Sequence, residues 1–374
     1  MGNSTEYRNA TSSEVFNLAT VIIFCSLNIL LSITASVGNI LILIALRKVT
    51  SLHSPTKLLF QCLAITDLGV GLISQPLYAI FIFLINFNLW NIISILHDIT
   101  WGLSICLSGV SVLTTTALSV DRILALLLKL RYRHVVTLKR VRAVVFCFWL
   151  IALSSNFMFL FWDTNIALTA ISVLVMLCIV TSLLSYTIIF IKLRLHQATV
   201  HPTVQCDVHH HGQPTGGGIA ALRIAQFKRT VTSIGLVQSA LVVCYIPFVI
   251  VNAILLLNNV VANLEVFGMA SNLVYSTLVY LNSSLNPFLY CWRIKEVRQA
   301  VKATIKQLYC NCLRWVPYLG DRSMEKQSDC KIAFQSNEYI LKEGLTRDII
   351  ADNMVHNNRL FHLLWNWFQE MRAF

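Results

Sequence analysis

The sequence predicts an all-α membrane protein: a bundle of seven transmembrane helices followed by an amphipathic eighth helix. Three observations carry that reading. The chain of 374 residues is 56% hydrophobic and only 12% charged, against roughly 25% charge in a soluble globular protein. Its mean hydropathy is +0.68. Apolar runs recur from Leu18 to Cys291, each close to the roughly 20 residues that one bilayer crossing needs.

The elements follow in order. Residues 1–17 are polar and short. Asn3 and Asn9 each open an N-glycosylation acceptor there, plausible chemistry for an extracellular segment. The first apolar run is long and lacks a small-residue cleavage site with a soluble domain behind it, so it reads as an anchor. Span one covers about residues 18–46, span two 58–84, span three 92–126, span four 143–162 and span five 166–191. Residues 195–221, with His209-His210-His211 and Gly216-Gly217-Gly218, read as a flexible loop. Cys206 and those histidines match no strong zinc spacing. Span six covers about 222–257 and span seven 264–291. Residues 293–308 read as an amphipathic helix along the membrane, with Ile294, Val297, Val301, Ile305 and Leu308 on one face and Arg298, Lys302 and Lys306 interleaved. Cys310 and Cys312 follow, at a usual place for palmitoylation. The division expected is an extracellular N-terminus at 1–17, a membrane domain at 18–291, the amphipathic and palmitoylation segment at 292–312, and a cytoplasmic tail at 313–374. Leu360–Phe368 in that tail reads either as an interfacial helix or as the end of a disordered tail.

The net charge of +12 is not that of a nucleic-acid binder, because the bases collect in alternate loops. Arg47, Lys48 and Lys57 lie between spans one and two. Lys129, Arg131, Arg133, Lys139, Arg140 and Arg142 lie between three and four. Lys192, Arg194, Arg223, Lys228 and Arg229 flank the loop between five and six. The positive-inside rule makes those loops cytoplasmic, so the N-terminus is expected outside and the C-terminus inside. Of eleven cysteines, Cys25, Cys62, Cys106, Cys147, Cys178, Cys244 and Cys291 fall within spans, where a thiol behaves as a small hydrophobe.

Chemistry concentrates at a few polar or helix-breaking positions inside these spans. Asp67 is a mid-span carboxylate, and on insertion scales such a group costs about 2.5–3.5 kcal/mol, so it needs a partner, an ion or water. Pro287 sits where an apolar helix continues, removes a donor and forces a kink or loosening. Asn282, Ser283 and Asn286 surround that weak point. Pro247 does the same in span six. A kinked helix with a polar seam can hold two arrangements, as a switch requires.

In order along the chain stand Gly38-Asn39, Leu63-Ala64 with Asp67, Asp121-Arg122-Ile123, Trp149, Tyr186, Cys244-Tyr245-Ile246-Pro247, and Asn286-Pro287-Phe288-Leu289-Tyr290. With these landmarks, about residues 18–312 resemble a rhodopsin-like (class A) G protein-coupled receptor. The resemblance implies a receptor that transmits an extracellular ligand signal to a heterotrimeric G protein from the plasma membrane. By position, Asp67, Asn39, Ser111, Asn282, Ser283 and Asn286 match the family's sodium site. Arg122 matches the arginine held by its neighbouring acid, here Asp121, until the G protein is met. Tyr186 and Tyr290 match the tyrosines that support it, and Tyr245 above Pro247 takes the place of the usual tryptophan switch.

The departures narrow the subfamily. His97 stands where a disulfide usually ties span three to the next outer loop, and the loop at 163–165 has no cysteine. A short unbridged loop is similar to the melanocortin branch, although Leu77, His97 and Trp101 stand where those receptors place peptide-binding acids, with Asp98 adjacent. Ser104 replaces the amine-pairing acid of monoamine receptors, which disfavours an amine. Tyr280 replaces the retinal-binding lysine of opsins. Asn252 matches an asparagine of adenosine receptors. Phe227 replaces an acid that locks Arg122 in some members. Ser104, Asn252, Ser276 and Tyr280 are then the polar points of a ligand pocket that suits a small molecule, a lipid or a short peptide. An ion transporter or channel is disfavoured by the lack of an internal repeat. An enzyme is disfavoured by the lack of paired carboxylates or a nucleophile triad. A non-signalling decoy is the alternative that Ile123 and Tyr245 keep in view.

Overall fold

The computed structural model describes residues 17–49, 52–85, 90–207, 239–256, 264–293 and 295–315. Asn3, Asn9, the His209–His211 and Gly216–Gly218 runs, Phe227, the first half of span six and the tail beyond 315 lie outside them. Among the described residues all regular structure is helical. The helices are α1 (Leu18–Lys48), α2 (Ser54–Ile85), α3 (Trp90–Leu128), α4 (Leu138–Phe161), α5 (Thr164–Asp207), α6 (Ser239–Leu256), α7 (Leu264–Arg293) and α8 (Lys295–Trp315). The first six are long and apolar enough to cross a bilayer. The seventh is more polar but has 30 residues, about 45 Å at 1.5 Å per residue.

Local chemistry sets the helix ends. The Asn17 side chain accepts from Ala19 N at 3.2 Å and caps α1. Pro55 starts α2, where its missing donor costs nothing. Between α4 and α5 the chain turns within Trp162 and Asp163. The Asp163 carboxylate then accepts from Asn165 N at 2.7 Å and Ile166 N at 3.1 Å, satisfying donors that a helix start leaves open. Arg47 and Lys48 close α1, where cations complement the helix dipole.

Helix α3 is the axis of the bundle. It packs against α2, α4 and α5, while α1 packs against α2 and α7. One apolar cluster joins Val112 and Leu113 of α3 to Val175, Cys178 and Ile179 of α5 and to Leu241, Cys244 and Tyr245 of α6. A second joins Val21 of α1, Tyr78 and Ile82 of α2, Ile93 of α3, and Leu273 and Tyr280 of α7. Within α2, Val70–Ser74 form a π-helical turn, just before Pro76.

Two expectations change. The loop expected from residue 195 begins later, because α5 stays helical to Asp207. Lys192 and Arg194 end the apolar run without ending the helix, since Lys, Arg and Gln favour helix as much as most apolar residues do. The amphipathic helix also runs on to Trp315, so Cys310 and Cys312 lie within it. The chain divides into two compact units, Met1–Ala300 and Val301–Phe374. The first holds α1–α7, and the described part of the second is the rest of α8.

Candidate functional site

The candidate residues fall into three groups along the bundle axis. The middle group forms where α1, α2, α3 and α7 meet. Asp67 of α2 is 0% exposed. Ser111 Oγ of α3 donates to its Oδ1 at 2.8 Å, and Asn286 Nδ2 of α7 donates to its Oδ2 at 2.7 Å. Ser283 lies within reach of the same carboxylate. These bonds tie three helices to one buried acid, and each is of the stronger, charge-assisted kind when that acid is ionised.

Asn39 of α1 completes the group for a different reason. Pro287 has no N–H, so the Ser283 carbonyl four residues earlier loses its helical donor. Asn39 Nδ2 supplies one from the neighbouring helix at 3.3 Å, while also donating to Ala35 O at 2.8 Å. Gly38 makes this approach feasible. A Cβ there would lie 2.8 Å from the Pro287 ring. The Gly38-Asn39 pair is therefore the complement of Pro287: one residue clears space for the ring, and the next replaces its donor. Ser284 Oγ donates across the same seam to Leu31 O at 2.9 Å. On α2, the π-helical turn is served similarly, with Ser32 Oγ of α1 donating to Gly71 O at 2.6 Å.

The donor set of this centre fits a hard monovalent cation. It has one carboxylate, the hydroxyls of Ser111 and Ser283, and the buried Asn39 Oδ1, which has no hydrogen-bond partner. Among the described residues no three His, Cys, Asp or Glu side chains gather as a metal group, so the softer transition-metal sites have no counterpart here.

The second group lies at the end of the bundle that carries the basic loops. Asp121 is 4% exposed. Tyr132 Oη donates to its Oδ1 at 2.6 Å, and Thr56 Oγ1 to its Oδ2 at 3.1 Å. Arg122 Nε stands 4.0 Å from the same carboxylate, a looser contact than either hydroxyl makes. The guanidinium instead lies over Phe60, 5.9 Å from the ring centroid. Phe60 meets Tyr290 edge-on at 5.0 Å, so α2 links Arg122 of α3 to the end of α7. Tyr186 lies against Phe190 of its own helix at 6.2 Å.

Tyr132, Thr56 and Phe60 escaped the sequence reading. Tyr132 reaches Asp121 because Lys129 adopts a left-handed backbone (φ 44) and a 3-10 turn over Lys129–Arg131 folds the chain back. The available signal was a single aromatic residue inside a basic stretch that should otherwise be solvated.

The third group is a cavity toward the opposite end, with about 690 Å³ of empty space, mouth included. Its wall is almost wholly apolar and includes Trp101, Val112, Ile171, Phe248, Ser276 and Tyr280. Ser104 also lines it and is bonded to Tyr280 across the α3–α7 gap. Ser276 Oγ donates to Asn272 Oδ1 at 2.7 Å on its own helix. Asn252 is not among the described lining residues, and its amide turns back to Phe248 O at 2.8 Å. Tyr245 lines the cavity floor and faces Asn282 of α7, so the cavity adjoins the polar centre. His97 sits beside Trp101 at 6.0 Å and bonds Asp98 at 3.1 Å. Cys25, Cys62, Cys106, Cys147, Cys178, Cys244 and Cys291 are free thiols.

Residues 38–167 match the model of the 7 transmembrane receptor (rhodopsin family). Melanocortin receptor 4 of Danio rerio is 27% identical over 286 residues, spanning 75% of this chain and 82% of that receptor. Growth hormone secretagogue receptor type 1 of Homo sapiens is 28% identical over 284 residues, spanning 71% of this chain and 75% of that receptor. A multi-pass helical bundle with a buried Asp67–Ser111–Asn286 centre, an Asp121-Arg122 pair and a seventh helix that carries Pro287 in its interior thus resembles the rhodopsin family of seven-transmembrane receptors, whose model its residues 38–167 match.

Proposed function

We propose that this receptor couples an extracellular ligand to nucleotide exchange on a heterotrimeric G protein at the plasma membrane, with its N-terminus outside and its basic loops inside. The observation that carries the reading is the loose hold on Arg122. Its acid is bonded to Tyr132 and Thr56, and its own guanidinium rests over Phe60. An arginine so placed at a basic membrane edge can leave with little loss of bonding and meet a partner.

The path from ligand to arginine runs along α7. A ligand in the cavity bears on Tyr245 and Tyr280. Tyr245 faces Asn282, and the next turn of α7 carries Asn286 onto Asp67. Pro247 and Pro287 weaken the helices that must move. A ligand shifts the balance only by binding one arrangement better than the other. Asp67 and Ser111 would hold a sodium ion in the polar centre, and the ion would neutralise the buried charge. Cys310 and Cys312 are the proposed acylation sites, and Asn3 and Asn9 the proposed glycosylation sites.

The test is G protein activation in cells expressing the chain, with Arg122→Ala alongside. The expected result is loss of coupling at unchanged surface expression. Equal signalling by both would refute the role of Arg122. Silence of the wild type across neutral, charged and peptide ligands would favour a decoy.

A further inference from the structure

The cavity carries more chemical information than its size. Among the described residues none of those lining it is Asp, Glu, Lys, Arg or His. Of the ionisable groups near it, His97 and Asp98 bond one another beside Trp101, and Asp67, beyond Tyr245, is bonded to Ser111 and Asn286. A charged ligand entering this apolar space would lose its hydration with nothing to replace it. The melanocortin-type acids have no counterpart here, since Leu77, His97 and Trp101 occupy their positions.

The polar groups of the wall divide into two kinds. Ser104, Tyr280, Ser276 and Tyr78 already bond within the protein. Tyr245, whose hydroxyl lacks a hydrogen-bond partner, faces Asn282 of α7, which leaves Thr100 and Ser108. They are 1% and 7% exposed, both line the cavity, and neither hydroxyl has a hydrogen-bond partner. They lie two helical turns apart on one face of α3, with the paired Ser104 between them. A buried hydroxyl without a partner is disfavoured, so the site is short of two partners that a ligand can provide. Rotation about one Cα–Cβ bond between staggered wells turns either hydroxyl toward the cavity.

We infer that the cavity takes an uncharged, mainly apolar small molecule with two hydrogen-bonding oxygens about 12 Å apart, the rise of eight helical residues, held by Thr100 and Ser108. A rigid carbon skeleton with an oxygen at each end, such as a doubly oxygenated steroid, has this form. The inference deepens the receptor reading by naming the ligand class. It is tested by binding and not by signalling, so the two can fail separately.

The experiment measures thermal unfolding of the purified full chain in lipid nanodiscs with a panel of probes. The panel contains neutral steroids oxygenated at both ends, steroids oxygenated at one end, long-chain diols, a steroid sulfate, a bile-acid carboxylate and a fatty amine. A neutral doubly oxygenated member is expected to raise the unfolding temperature, and the charged members are not. Thr100→Val and Ser108→Ala should each weaken that probe's half-saturation about tenfold, with unfolding in the absence of probe near wild type. Leu150→Ala, on the exposed side of α4, should bind it unchanged. Stabilisation by a charged member equal to the neutral one would overturn the inference. Undiminished binding by Thr100→Val with Ser108→Ala, or no binding by any neutral member, would do the same.

Discussion

The two sides of the bundle are held by different means. On one side α1, α2, α3 and α7 exchange bonds: Asn286 and Ser111 with Asp67, Asn39 with Ser283, Ser284 with Leu31, Ser32 with Gly71, and Asn28 with Thr277. On the other side α4 and α5 turn most of their hydroxyls inward to their own carbonyls. Ser154 and Ser155 both donate to Ile151 O, and Ser185 and Thr187 bond one turn back. Half of the most apolar window of α2 is buried, against 11% in α4. In a bilayer, interhelical bonds and close backbone approach hold helices together, because lipid is as apolar as the side chains. The bonded side is therefore the one whose interhelical pairings a switch would have to exchange. The α4 side is scaffold.

That contrast can be broken most severely at Asp67. Asp67→Ala leaves Ser111 and Asn286 unpaired in the core, at about 1–3 kcal/mol for each buried group left without its partner. It should lower the unfolding temperature of the purified protein and abolish any difference between sodium and choline chloride. A sodium-dependent stabilisation that persists in the variant would remove Asp67 from the proposed ion site.

Gly71→Ala comes next. A Cβ at Gly71 would stand 2.9 Å from the Ser36 backbone nitrogen and 2.8 Å from Ser36 Oγ. Backbone cannot give way like a side-chain end, so overpacking of about 1–3 kcal/mol is expected in thermal unfolding. A neutral result would mean that α1 and α2 are less closely seated than this contact requires.

Leu150→Ala on α4 is the smallest effect. The side chain is 50% exposed toward lipid, and the change should stay within about 0.5 kcal/mol by the same measurement. A loss as large as that at Gly71 would erase the contrast between the two sides.

Much of the bonded side was legible beforehand. A carboxylate inside an apolar span has few ways to exist, and the polar residues around Pro287 offered the means, so the meeting of Asp67 with Asn286 could be anticipated. Helix boundaries came out close wherever an apolar run ended in a cap, as at Asn17 and Asp163. They were missed where charge and helix propensity part company, as in the stretch of α5 out to Asp207. The π-helical turn at Val70–Ser74 has no signal in hydropathy. The contacts of Asp121 with Thr56 and Tyr132 join residues 65 and 11 positions away. They depend on a left-handed Lys129 that no periodicity announces. Asn252 shows the opposite failure: a matching position whose amide turns into its own helix.

The central claim is that the acid–amide pair between α2 and α7 sets the balance between arrangements. It is tested most directly by exchanging the pair. Nucleotide exchange on the G protein would be measured for the wild type, Asp67→Asn, Asn286→Asp and the double variant, at matched surface expression. Paired groups of this kind couple by about 0.5–3 kcal/mol, and about 1.4 kcal/mol is tenfold. Each single variant should therefore lower exchange about tenfold, and the double should recover most of the loss. A double variant as impaired as the product of the two singles would contradict the account, because each residue would then act alone.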